Sequence, residues 1–96
     1  MNSLGLIEVQ SVTAAVDCLD LMCKAANVKF VTWERKLGGR LVTVVVEGNI
    51  SAVTAAVEAT SSAIIKPAAT AVIASPHSET ERLLMLSASR LNKDKK

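Results

Sequence analysis

Apolar residues follow two different rhythms along this chain. In "LGLIEV", Leu4, Leu6 and Glu8 alternate with Gly5, Ile7 and Val9, the two-residue repeat of a strand. After Ser11 the rhythm lengthens. Val12, Ala15, Val16, Leu19, Cys23 and Ala26 recur at spacings of three and four, with Asp17, Asp20 and Lys24 mainly on the other side. That spacing predicts an amphipathic helix with one buried stripe, capped by Ser11 and ended by Asn27. "VKFVTWERK" and "RLVTVVVEG" are rich in β-branched and aromatic residues and read as two strands. Leu37-Gly38-Gly39 between them is a short connection whose glycines tolerate positive φ, so the pair is a hairpin. A second helix begins near Ser51, with Val53, Ala56, Val57, Thr60 and Ile64 on its stripe, and Pro67 stops it. "TAVIAS" is a fourth strand. "SETERLLMLSASRL" is a third helix, opened by an S-x-x-E capping box at Ser78 and Glu81. Its Leu/Met cluster, Leu83 to Leu86, requires cover.

The element order is therefore β-α-β, β-α-β and a C-terminal helix. This is an α+β, ferredoxin-like arrangement: a four-stranded antiparallel sheet with two helices on one face. "SVTAAVD" (11–17) and "AVTAAVE" (52–58) repeat closely, each at the start of a helix that follows a strand. The repeat supports the topology. Short Ala-rich helices resemble one another too easily for it to imply duplication.

Composition changes this picture in one respect. Half of the 96 residues are apolar, but the apolar set is mostly Ala, Val and Leu, with one Phe, one Trp and no Tyr. Such a chain has little aromatic bulk for a deep ligand pocket, and a domain of this size often gains stability by oligomerising. The net charge of +2 is weak, and part of it sits in the tail "LNKDKK". It lacks the strong basic footprint of a nucleic-acid binder. No run approaches the ~18 apolar residues that span a bilayer. The first residues lack the basic and long apolar regions of a signal peptide, and the cytoplasmic expectation comes from the two cysteines, which read as reduced thiols. Cys18 and Cys23, five apart on one helix, match neither a redox pair nor a zinc knuckle and read as buried thiols.

The chemistry-bearing residues form no catalytic constellation. His77 is the single histidine and immediately precedes a helix. It reads as a structural or interface group. Asp17 and Asp20 read as solvated carboxylates, and Glu79 and Glu81 as first-turn acids that complement a helix dipole. Neither a nucleophile elbow nor a metalloprotease motif occurs. Gly38-Gly39 leads into a strand rather than a helix, so "WERKLGGRLV" lacks the dipole and N–H cradle of a phosphate loop. The RNP aromatic pattern of an RNA-binding sheet is missing from "RLVTVVVEG". The sequence thus points to a non-enzyme with no cofactor, no metal, no nucleic acid and no membrane.

Four stretches together resemble a known family, the single-domain shell proteins of bacterial microcompartments (BMC). "LGLIEV" is similar to that family's opening strand. "LDLMCKAANVKFVTWE" is similar to its first helix and second strand, with the K-[AS]-A-N-V signature at Lys24 to Val28. "GGRLVTVVVEGNISAV" and "VIASPHSETE" are similar to its third strand and second helix, and to its last strand and Pro-His turn. The resemblance covers the BMC shell domain core, residues 1–77, and leaves 78–96 as a C-terminal helix and polar tail.

The resemblance implies a structural subunit of a flat cyclic hexamer, alone or as a minor component of mixed hexamers, in a cytoplasmic shell. Its partners would be copies of itself, other shell subunits and, through the C-terminal segment, encapsulated enzymes. Leu37, Gly38 and Gly39 would line a central pore for small polar or anionic metabolites, with Lys36 and Arg40 at its rim. Lys24, Asn27, Ser75 and His77 would form the assembly interface. The chain departs from the family pattern at Ala74 and Ser75, where proline and a basic residue are usual. It departs also at Asn49, at Thr60 and in a longer pore loop. A small-molecule-sensing regulatory domain on the same scaffold is the alternative reading.

Overall fold

The computed structural model describes residues 2–35 and 41–94. Its elements follow the expected order. They are β1 (Ser3–Val9), α1 (Val12–Ala25), β2 (Lys29–Glu34), β3 (Val42–Gly48), α2 (Ile50–Ala59), a 3₁₀ turn (Thr60–Ser62), β4 (Ala69–Ile73) and α3 (Ser78–Asp94). The four strands form one antiparallel sheet in the order β2-β3-β1-β4, the split βαβ topology. A register shift between Phe30 and Thr32 places an irregularity at Val31.

The register explains the two faces. Val42, Val44 and Val46 pair with Val9, Ile7 and Gly5, and this side packs under α1 and α2. Ala14, Ala15, Cys18 and Met22 of α1 and Val53 and Ala56 of α2 complete the core. Small residues dominate both surfaces, so the helices sit close to the sheet. Burial pushes the Cys18 thiol pKa up, and the neighbouring Asp17 charge adds to it, so Cys18 is an inert core residue. On the reverse side Leu4, Thr32 and Val45 are buried, and α3 packs along β2.

Three expectations are corrected. First, α2 ends at Ala59, well before Pro67. Thr60 Oγ1 donates to Val57 O at 2.6 Å and Ser62 Oγ to Ala59 O at 2.9 Å, and the chain tightens into a 3₁₀ turn. Ser and Thr hydroxyls there compete for the backbone groups that would continue the helix. Second, the buried stripe of α1 is Ala14, Ala15, Cys18 and Met22, whereas Val12, Val16 and Cys23 are exposed; Ile64 is also exposed. The apolar residues of α1 occupy more than one face, and only one of these faces meets the sheet. The second helix begins at Ile50, near Ser51 as expected, and Asn49 caps it, its Oδ1 accepting from Ala52 N at 2.8 Å. Third, α3 is capped by His77, not Ser78. The His77 carbonyl accepts from Glu81 N, and its ring Nδ1 accepts from Glu79 N at 3.0 Å. The Ser11 cap agrees, its Oγ accepting from Ala14 N at 3.1 Å, while α1 ends at Ala25 with Ala26, one residue before Asn27, as its C-cap.

Candidate assembly and pore surfaces

The strand register brings parts of the predicted assembly surface to one end of the sheet. The register pairs Ser3 with Gly48, Leu4 with Ile73 and Lys29 with Glu47. The start of β1, the end of β3, the start of β2 and the end of β4 therefore meet at one end. Asn27 and the Ala74–His77 turn lie there. β2 ends and β3 begins at the other end; the predicted pore residues Lys36, Leu37, Gly38, Gly39 and Arg40 lie outside the described residues.

At the first end the structure builds a compact corner. Ser3 Oγ donates to Ala74 O at 2.8 Å, tying the exit of β4 to the start of β1. Ser75 and Pro76 face Asn2, Asn49 and Ile50 across an open depression of about 480 Å³. The Asn27 carbonyl lies against Gly48, where an added Cβ would stand 3.1 Å from it. Ser75, His77 and Asn27 are all exposed. His77 is also committed to capping α3.

Lys24 projects from the last turn of α1, where a cation complements the helix dipole. Its Nζ lies 2.8 Å from Asp20 Oδ2, both side chains being well exposed. The hydrogen bond to Asp20 and the charge of that carboxylate hold the lysine pKa above its ordinary value, so it stays cationic through neutral pH.

A third surface went unread in the sequence. Val12, Val16, Ile64 and Ile65, with Asp17 at the margin, line an open apolar groove of about 560 Å³. Ile64 is 94% exposed and Val16 55%. The Ile64 N–H donates to Asp17 Oδ2 at 3.4 Å, which fixes the segment after the 3₁₀ turn against α1. Val16 is also a wall of a second groove with Phe30, Val31 and Trp33, whose rings meet edge to face at 6.4 Å. Large apolar side chains gathered around two adjoining open grooves make this a candidate interaction surface. The signal was present in the sequence as a helix apolar on more than one side.

Beneath α3 a polar chain runs into the protein. Ser87 Oγ donates to Glu34 Oε2 at 2.5 Å and lies 2.7 Å from Thr32 Oγ1. A hydroxyl has one proton, so Thr32 must donate to Ser87 while Ser87 donates to the carboxylate. Thr32 and Ser87 are both buried. Ser87→Ala should therefore lower stability by about 1–3 kcal/mol, because the bond to the Glu34 carboxylate is lost and Thr32 Oγ1 is left with only the Trp33 carbonyl at 3.4 Å. Urea unfolding of the full chain measures this; a midpoint equal to wild type would show that α3 does not depend on the chain of hydroxyls.

Among the described residues no group of three or more His, Cys, Asp or Glu side chains is placed to hold a metal ion. No described helix is long and apolar enough to cross a membrane.

Comparison with known proteins matches these features to one group. A family model described as the BMC domain matches residues 3–76. Bacterial microcompartment shell protein PduA of Citrobacter freundii is 41% identical over 86 residues, covering 86% of this chain and 91% of that protein. Carboxysome shell protein CsoS1C of Hydrogenovibrio crunogenus is 41% identical over 88 residues, covering 88% and 85%. A crystal structure of a microcompartment protein from Desulfitobacterium hafniense DCB superposes with a TM-score of 0.74 at 23% identity. This chain spans 48% of that one, with 91% of its own length covered, and the likeness speaks to the fold.

Proposed function

The chain belongs to the BMC-domain family of microcompartment shell proteins, and from that premise we propose that it is a structural subunit of a shell in the bacterial cytoplasm. It assembles as a cyclic hexameric tile with copies of itself or of other shell subunits, and the tiles join edge to edge. The observation that carries this reading is the exposed apolar groove of Val12, Val16, Ile64 and Ile65, which a second copy can cover. A head-to-tail contact that closes into a ring covers such a groove on every copy at once.

In that ring Leu37, Gly38 and Gly39 surround the axis, with Lys36 and Arg40 at the rim. Glycine permits six backbones to crowd together without side-chain collision. Repeated cations there favour anions and small polar metabolites. Lys24, Asn27, Ser75 and His77 contribute to edge contacts between tiles. Ser75, in place of a basic residue, makes that edge less charged, which suits a subunit that mixes with other shell proteins. The C-terminal segment is the element available to encapsulated enzymes.

Light scattering on a sizing column, followed by electron microscopy of concentrated protein, tests the reading. Rings, sheets or tubes are expected, alone or with partner shell subunits. A monomer that assembles under neither condition would refute it. Lys24→Ala should leave the melting curve unchanged, since the Asp20 pair is exposed, and should reduce sheet formation. Sheets of undiminished extent would remove Lys24 from the edge.

A further inference from the structure

The outward side of α3 carries a row that the fold leaves uncovered. Ser87 is buried toward β2, and Leu84, Ala88 and Leu91 are partly buried with it. Residues Glu79, Leu83, Leu86 and Arg90, spaced four, three and four apart, fall on a different side of the helix. Leu83 is 57% exposed and Leu86 45%. Glu79 and Arg90 are exposed too. The row is acid–Leu–Leu–base, and it is symmetric about the point between Leu84 and Met85.

That symmetry gives the row a particular complement. Turned end for end, it presents base–Leu–Leu–acid. An antiparallel second copy therefore sets Leu83 against Leu86, and Glu79 against Arg90, at both ends. A parallel copy would place like charges together. We propose that α3 is a self-complementary docking surface that pairs antiparallel with α3 of a second copy of this chain, about a two-fold axis.

The observations favour a second copy over another partner because both charges and both leucines are satisfied by the same sequence. The ion pair between Arg82 and Glu79 leaves room for this. Both Arg82 donors, at 3.0 and 3.1 Å, reach Glu79 Oε1, so Oε2 can accept from the guanidinium of a facing Arg90. A two-fold contact is isologous and cannot be the head-to-tail contact that closes a ring. It joins two oligomers instead, whatever their copy number, and so does not depend on the hexameric reading. With two leucines per helix the contact is small and the association weak.

Charge reversal with mixing tests the pairing. Glu79→Arg sets Arg against Arg, and Arg90→Glu sets Glu against Glu. Each alone should weaken pairing by roughly tenfold. Equimolar mixing of the two single variants restores opposite charges at both ends and should restore pairing, as should the double variant alone. Glu79 also sits in the first turn of α3, so its reversal can loosen the helix. The mixture answers that point, since each component carries its own defect and only pairing repairs it.

The readout is mass by sedimentation equilibrium on the full chain, against Leu83→Ser/Leu86→Ser as the unpaired reference. Wild type at high concentration should contain a species of twice the reference mass. Equal masses for wild type and reference overturn the proposal. Failure of the mixture to regain the doubled mass overturns the antiparallel register and the proposal with it. The reference mass itself reports the basic oligomer, so failure of the ring and failure of the pairing are seen separately.

Discussion

Gly5→Ala should destabilise the protein by about 1–3 kcal/mol, the range for overpacking a filled core. Gly5 lies in β1, beneath α2. A Cβ at this position would stand 2.6 Å from Val53 Cγ1, 3.0 Å from Val57 Cγ2 and 3.3 Å from Val46 Cγ2. Real Cβ contacts do not reach the first of these distances, so something must move. Val53 is fully buried, and a valine in a helix has essentially one χ1 rotamer. Moving it means lifting α2 from the sheet. The opposing effect is the intrinsic preference of a regular element for Ala over Gly, about 0.5–1 kcal/mol. The clash wins because all three valines it meets are buried and held in place. Thermal and urea unfolding give the sign. The double variant Gly5→Ala/Val53→Ala is the sharper measurement. If the clash is the cause, its loss should be smaller than the sum of the single losses, since each change relieves the other. Additive losses, or a Gly5→Ala protein as stable as wild type, would show that the close approach of α2 does not decide the outcome.

The repeated heptapeptides show what the sequence could and could not disclose. "SVTAAVD" and "AVTAAVE" both start helices, as their spacing required, and Ala15 and Ala56 are buried alike. Their valines differ. Val53 and Val57 are buried where α2 lies across β1, whereas the matching Val12 and Val16 are exposed beside Ile64 and Ile65. Local pattern specifies a helix and its apolar residues, but not which apolar face meets its own sheet. That choice depends on neighbours distant in sequence and, for a surface that joins copies, on a neighbour outside the chain. The strands were legible because β-branched runs alternate or fill both faces. The end of α2 was not, because Thr60 and Ser62 stop the helix through hydroxyl bonds that no breaker residue announces.

The candidate sites were legible to different degrees for similar reasons. The K-A-A-N-V stretch put Lys24 at the end of a helix and Asn27 in the turn after it, and the structure has them there. The Pro-His turn put His77 at the head of α3, but its ring as the cap could not be read from a sequence that offered Ser78 in the preferred S-x-x-E pattern. The Thr32–Ser87–Glu34 chain joins residues more than fifty positions apart. No local pattern encodes such a contact. The glycine loop at 36–40 remains a reading of the sequence and the family.

Ile64→Glu should abolish the ring while leaving the single chain folded. Ile64 is 94% exposed, so the isolated domain gains or loses little by the change, within about 0.5 kcal/mol as for most surface substitutions. In a ring that covers the groove, the balance reverses. Burial of an isoleucine side chain contributes about 1.5–3 kcal/mol. A carboxylate placed there without a cation costs more, because Asp17 at the groove margin is itself acidic and like charges oppose one another. A loss of about 3 kcal/mol at each contact weakens it by more than a hundredfold. Cyclic symmetry repeats that loss at every interface, so closure fails rather than merely loosening. Val16→Glu, on the facing wall, should do the same, whereas Ile50→Glu, exposed but outside this groove, should leave the ring mass unchanged. Native mass spectrometry reads all three. Ile64→Glu and Val16→Glu proteins that keep the wild-type mass would exclude the groove as the ring contact. A ring lost in Ile50→Glu alone would move that contact to the corner formed by Asn49, Ile50 and Ser75.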